Sequence, residues 1–139
     1  MTKYLLDTCI CVFFLRGKLN LNEIVQGKKI ENFYISEITV FELRYGAENS
    51  DNPAKSHKAL NDFLSGLNII PISACLNRYA KEKVRLRKLG KPIQDEFDFL
   101  IGLTAVEHNL VLVTDNTKDF ELLSEIKLDN WIKRKNTSL

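Results

Sequence analysis

Residues 4–17, Tyr4-Leu5-Leu6-Asp7-Thr8-Cys9-Ile10-Cys11-Val12-Phe13-Phe14-Leu15-Arg16-Gly17, place an acid between two apolar runs. The first run is short and reads as a strand. The second follows at once and reads as a helix from about Thr8 to Arg16, stopped by Gly17. An acid at that junction lies near the core, where an unpaired charge is strongly disfavoured or changes its pKa. Asp7 therefore needs a partner, and the rest of the chain has to supply it.

The same alternation continues outward. Phe33-Tyr34-Ile35 predicts a second strand, and Ser36 caps a helix running through Val40, Phe41 and Leu43 towards Gly46. Asn52-Pro53 opens another helix, with Pro in a tolerated first-turn position and Leu60, Phe63, Leu64 and Leu67 at helical spacing. Ile69-Ile70-Pro71-Ile72 predicts a third strand near a sheet edge, because Pro removes a ladder donor. Ser73 is expected to cap a long helix ending near Gly90, and Asp95 to cap the next, with Phe97, Ile101 and Ala105 as its buried stripe. Val111-Leu112-Val113 is a fourth strand, and Leu128 to Ile132 a possible fifth. The order implies an α/β fold: a three-layer α/β/α arrangement around a mainly parallel sheet of four or five strands.

The chain has 139 residues, with 45% apolar and 27% charged, the balance of one ordinary globular domain with room for a sizeable core. We expect a single domain over residues 1–134 and a frayed tail over 135–139. No apolar run approaches the roughly 20 residues of a membrane span, and the N-terminus lacks the features of a secretory signal. Three cysteines give no disulfide framework and fit a reducing compartment, so a cytoplasmic location is expected. The net charge, 20 − 18 = +2, does not by itself argue for nucleic acid.

Parallel strands place their C-terminal ends on one edge, and open α/β sheets bind ligands outside that edge. Asp7 follows the first strand and Asp115 the fourth. Glu42 lies in the second turn of the helix leaving the second strand, and Asp98 in the first turn of the helix preceding the fourth. Each has an ordinary explanation. Asp7 can cap a helix, Asp98 can complement a helix dipole, Asp115 can make an Asx turn, and Glu42 can pair with Arg44. Together they are expected to converge on one cleft, where their repulsion must be relieved by protonation or by a cation. Oxygen-only ligation suits Mg²⁺ or Mn²⁺, an ion able to activate water against a phosphodiester.

The segments LLDTCI, ISEITVFELRYGA, GKPIQDEFDFLIGLTAVEHNL and LVTDNTKDF, in that order, resemble the PIN-domain nucleases, and among them the VapC-type toxins of prokaryotic toxin–antitoxin pairs. The resemblance covers nearly the whole chain. It implies a Mg²⁺-dependent endoribonuclease (Mn²⁺ also possible) with Asp7, Glu42, Asp98 and Asp115 as catalytic acids and Asp7 and Asp98 as metal ligands. It further implies an RNA substrate, a cognate antitoxin, a homodimer and no membrane. Two departures stand out. Asn116 sits beside Asp115 in the fourth segment, and IQDEFDF carries three acids, of which Asp98 fits the helical register while Asp95 suits an N-cap. By the same resemblance Thr8 orients Asp7 or a water through its hydroxyl, and Thr114 is a weaker candidate for such a role.

KEKVRLRKLGK carries Lys81, Lys83, Arg85, Arg87, Lys88 and Lys91 against the single acid Glu82, which is either a solvated face or a phosphate-tracking patch. Arg16 and Arg44 could touch an RNA backbone or tie down a carboxylate. Cys9 and Cys11 lack a second ligand pair, and His57 and His108 are isolated, so zinc is not expected. Phe13, Phe14, Phe41 and Trp131 read as core or interface packing, and a partner helix could cover the Val12–Leu15 face. A haloacid-dehalogenase-type phosphatase would need an Asp where Cys9 stands, and a phospho-receiver needs acids and a Lys that are not present in its pattern. The remaining alternative is a catalytically idle PIN-like module that only binds RNA or protein. An idle acid cluster would destabilise the fold without compensation.

Overall fold

The computed structural model describes residues 1–17 and 27–132. The expected C-terminal tail, 135–139, lies outside them. Five short strands, β1 (Tyr4–Leu6), β2 (Phe33–Ser36), β3 (Asn68–Ile70), β4 (Val111–Val113) and β5 (Lys127–Asp129), form one sheet in the order β3-β2-β1-β4-β5. Every neighbouring pair is parallel. The helices are α1 (Thr8–Leu15), α2 (Glu37–Glu48), α3 (Pro53–Leu64), α4 (Leu76–Lys88) and α5 (Glu96–Glu107). The three-layer parallel fold expected from the alternation is present, including the fifth strand.

Because strand side chains alternate, Leu5 and Leu6 enter opposite layers. Leu5 and Leu112 pack with Phe99, Ile101 and Leu103 of α5, whereas Leu6, Ile35 and Val113 pack with Ile10 of α1 and Leu60 of α3. Trp131 closes the second layer against Tyr4 and Phe33. Pro71 lies just beyond β3, an edge strand, as its missing donor requires. The order also creates a topological switch. The chain runs from β1 outward through β2 and β3, then returns to the other side of β1 as β4. A crevice for ligands is expected at the C-terminal ends of β1 and β4.

Caps set the helix starts. Ser36 Oγ accepts from Ile38 N at 3.1 Å, Asn52 Oδ1 from Lys55 N at 3.2 Å, and Asp95 Oδ1 from Phe97 N and Asp98 N at 2.9 and 3.1 Å. Gly17, at φ 63°, ends the α1 turn in a conformation that favours glycine. One start differs from expectation: Ser73 lies within a 3₁₀ turn, Ile72–Cys75, and α4 begins at Leu76. The cause is tertiary. The Ile72 N–H donates to Glu37 Oε1 at 2.7 Å, which fixes the chain one turn before the helix. The fifth strand is also shorter and earlier than Leu128–Ile132, and Trp131 and Ile132 are buried beyond its end.

Gly102 is where α5 meets the segment following β4. A Cβ there would stand 2.4 Å from Leu123 Cδ1 and 3.1 Å from Phe120 Cδ1. Both neighbours are buried, so Gly102→Ala is expected to destabilise the protein by about 1–3 kcal/mol through overpacking. Urea denaturation measures this, and an unchanged midpoint would mean that the segment yields freely.

Candidate active site

Asp7 is 4% exposed and sits at the switch crevice. Register places it there: Leu6 pairs with Val113, and the Asp7 N–H continues the ladder to the Val113 carbonyl at 2.9 Å. The next residue on β4's side is Thr114, also buried, whose hydroxyl donates to Asp7 Oδ2 at 2.7 Å. Asp7 Oδ1 accepts from the Thr8 N–H at 2.8 Å and so caps α1. The Cys9 thiol approaches Oδ2 at 3.6 Å. Burial, then the Asp7 charge, push that thiol up to about 11, so at neutral pH it remains protonated and able to donate.

Glu42 comes from α2. The Thr8 hydroxyl donates to its Oε1 at 2.6 Å, with Thr39 Oγ1 3.1 Å from the same hydroxyl oxygen. The two threonines therefore exchange the expected emphasis: Thr8 serves Glu42 by its side chain, and Thr114 fixes Asp7. Thr114 Oγ1 also accepts from the Asn116 N–H at 3.0 Å, so its local bond and its bond to the acid coexist.

Asp98 lies in the first turn of α5, half-buried, with its N–H taken by the Asp95 cap. Burial raises its carboxyl most, followed by the charges of Asp7, Asp95, Glu42 and Asp119, to about 7. Burial also raises Glu42, with Asp7 and Asp95 adding to it and the Thr8 hydroxyl opposing. Asp7 is raised by burial against the three hydrogen bonds that favour its charge. Asp7, Glu42 and Asp98, far apart in the chain, thus feel one another's charge at the predicted edge.

Asp115 Oδ1 accepts from Asn130 Nδ2 at 3.1 Å, and the charge of Asp119, from the same segment, bears on Asp98. Asp95 stood open beside Asp115 as a fourth carboxylate, whereas Asp119 was not legible as a member of the cluster. The 3₁₀ turn Thr117–Asp119, which turns Asp119 back towards α5, leaves no periodic signal. Arg44 does not reach the acids. It bonds His57 Nδ1 at 3.2 Å and Asn61 Oδ1, holding α2 to α3, while Glu48 takes the other ring nitrogen at 2.8 Å.

Among the described residues, no group of three or more His, Cys, Asp or Glu side chains is arranged to hold a metal ion as it stands. The donor chemistry nevertheless fits a hard divalent cation. The facing groups are carboxylates, and the largest influences on Asp98 all raise it, which marks a site short of positive charge.

The sequence matches the PIN domain family over residues 4–126. The chain belongs to the PIN-domain family. Among its curated relatives, the tRNA(fMet)-specific endonuclease VapC of Shigella flexneri is 32% identical over 94% of this chain and 99% of its own. Ribonuclease VapC2 of Rickettsia felis is 35% identical over 94% of this chain and 98% of its own. This PIN domain groups with those VapC proteins. Its fold matches a chain of DNA-bound VapBC from Salmonella typhimurium with a TM-score of 0.85, 29% identity, and 94% and 99% coverage of the two chains.

The basic segment of α4 is partly consumed within the PIN domain. Lys83 pairs with Glu96 at 2.9 Å, and Arg85 holds Glu82 through both its oxygens while donating to the Leu122 carbonyl at 2.7 Å. No described helix is long and apolar enough to cross a membrane.

Proposed function

We propose that this PIN domain is a divalent-metal-dependent endoribonuclease, the toxin of a toxin–antitoxin pair, working in the cytoplasm with Mg²⁺ or Mn²⁺. The observation that carries the reading is the gathering of Asp7, Glu42 and Asp98 at the sheet crevice, where burial first and then the charges of Asp7, Asp95 and Glu42 raise Asp98 to about 7. VapC-named ribonucleases related over nearly the full chain support the activity. Asp7 and Asp98 would hold the ion, with Glu42 beside them and Asp119 or Asp115 as further acids of the rim. When bound, such an ion supplies Lewis acidity to a water and to the phosphate under attack. The chain's own part is placement. Thr114 and the Thr8 N–H hold Asp7 in place and favour its charged form against the effect of burial, and the Thr8 hydroxyl does the same for Glu42.

Partners follow the same support. Neighbouring solved structures include VapBC from Salmonella typhimurium and VapBC2 from Rickettsia felis. In this chain Phe41 and Tyr45, one turn apart on α2, are 58% and 71% exposed, and Leu15 of α1 is 39% exposed. These apolar side chains suit an antitoxin helix or a second copy of the chain.

Purified protein is expected to cut RNA internally with Mg²⁺ or Mn²⁺, to stop with EDTA and to recover on readdition of the ion. Gel analysis of fragments reads this directly. Undiminished cleavage in EDTA would sink the metal mechanism.

A further inference from the structure

The pairing of β4 with β5 runs up to the edge of the acid site. Val113 pairs with Asp129, and the Thr114 N–H adds a rung to the Asp129 carbonyl at 2.9 Å. One residue further on, a side-chain bond continues the connection: Asn130 Nδ2 donates to Asp115 Oδ1 at 3.1 Å. The Asn130 amide is held from behind. Its Oδ1 accepts from the Ile132 N–H at 2.8 Å, which leaves the nitrogen to face Asp115. Asp129 Oδ1 accepts from the Asn130 N–H at 2.8 Å, and Asp129 Oδ2 from Trp131 Nε1 at 3.1 Å. Trp131 and Ile132 are both buried, so the segment that presents Asn130 is anchored in the core.

The residues on the other side of this bond touch the site. Thr114 gives its hydroxyl to Asp7 Oδ2 at 2.7 Å and accepts the Asn116 N–H at 3.0 Å. Between them, the Asp115 backbone N–H bears on the Cys9 sulfur at the start of α1. The Asn116 carbonyl then accepts the Asp119 N–H at 3.0 Å, which sets the turn carrying Asp119. A single rung at Thr114 fixes where this turn begins. A second attachment at Asp115 fixes the direction in which it leaves.

We propose that Asn130 is a positioning residue for the carboxylates. By holding Asp115 Oδ1 it extends the sheet past its backbone ladder and fixes the turn from which Thr114 reaches Asp7. The inference rests on the ribonuclease reading for the activity it affects, and it gives Asp115 a partner on β5's side rather than among the acids.

The wild type, Asn130→Asp, and Asn130→Asp combined with Asp115→Asn test this. In the single variant two carboxylates meet where an amide now donates, and their repulsion opens the clasp. With saturating Mg²⁺, kcat on RNA is expected to fall about ten-fold or more, the scale of a small misplacement remote from the reacting atoms, with KM little changed. In the double variant the amide and the carboxylate exchange places. A donor again faces an acceptor, the Ile132 N–H keeps its oxygen, and most of the lost kcat should return. A single variant with full kcat, whatever its stability in urea, would leave Asn130 a structural residue and overturn the proposal. A double variant no better than the single would show that the reaction needs the Asp115 charge itself, and would overturn it too.

The second measurement needs no RNA. In methyl NMR spectra the Thr114 methyl should shift in the single variant and return in the double. That pattern in a protein that cuts no RNA would support the clasp and sink the ribonuclease reading alone. An unmoved Thr114 methyl with equal cleavage by all three proteins would do the reverse.

Discussion

Asp7→Asn is expected to reduce RNA cleavage by about 10³-fold or more while leaving the protein folded. The factor corresponds to several kcal/mol of charge stabilisation lost at the phosphate, at roughly 1.4 kcal/mol per ten-fold. The fold should survive because Asn caps a helix about as well as Asp. Its carbonyl can accept from the Thr8 N–H, where Asp7 Oδ1 now does at 2.8 Å. Its amide can donate to Thr114 Oγ1, reversing the 2.7 Å bond that Thr114 now makes to Oδ2. What disappears is the charge alone. Circular dichroism and a fragment assay on the same preparation separate the two effects. A folded variant with full activity would remove Asp7 from the site.

Asp98→Asn is expected to lower cleavage comparably and, in addition, to flatten the pH dependence of stability. The Asp98 carboxyl titrates near 7 in the folded chain against an ordinary value of 3.8. Between about pH 4 and pH 7 the folded protein therefore holds a proton that the unfolded chain has released. Stability from this group is fully present below 3.8 and is lost as pH rises through about 7. Asp7 and Glu42 are raised too, so the variant should keep a shallower slope of the same sign. Millimolar Mg²⁺ should stabilise the wild type at pH 7 and above more than the variant, because ion binding to the folded state adds to its stability. Thermal unfolding followed across pH 4–8 with and without Mg²⁺ reads both effects. Superimposable profiles for the two proteins would show that Asp98 carries no such coupling.

Much of the site was legible because its members sit at punctuation points. Asp7 and Asp98 occupy the first turn or the cap of helices whose starts are written in local sequence, and the strand that precedes Asp7 fixes its edge. Glu42 could be placed by counting from the Ser36 cap. Asp95 was correctly read as a cap, since its side chain satisfies two N–H groups of its own helix. Whether it also belongs to the acid cluster stayed open in the sequence, because a local role conceals a distant one, and its charge does bear on Asp98 and Glu42. Arg44 illustrates the opposite failure. Its nearness to Glu42 in sequence suggested an ion pair, but the helix turns Arg44 towards α3 and its charge meets His57 and Asn61.

The amino-acid sequence by itself determined the alternation of strands and helices, the parallel sheet, the edge position of β3 and the approach of three acids to one rim. Those features follow from periodicity, capping chemistry and the missing proline donor, all of which act over a few residues. Only the tertiary structure decided which hydroxyl serves which acid, that the charge of Asp119 bears on Asp98, and that a cavity lined by Lys91 and Lys118 adjoins them. These depend on register across β1 and β4 and on the packing of the Phe120–Leu123 segment over Gly102. Contacts between residues a hundred positions apart are set by whole-chain packing, and no local pattern encodes them.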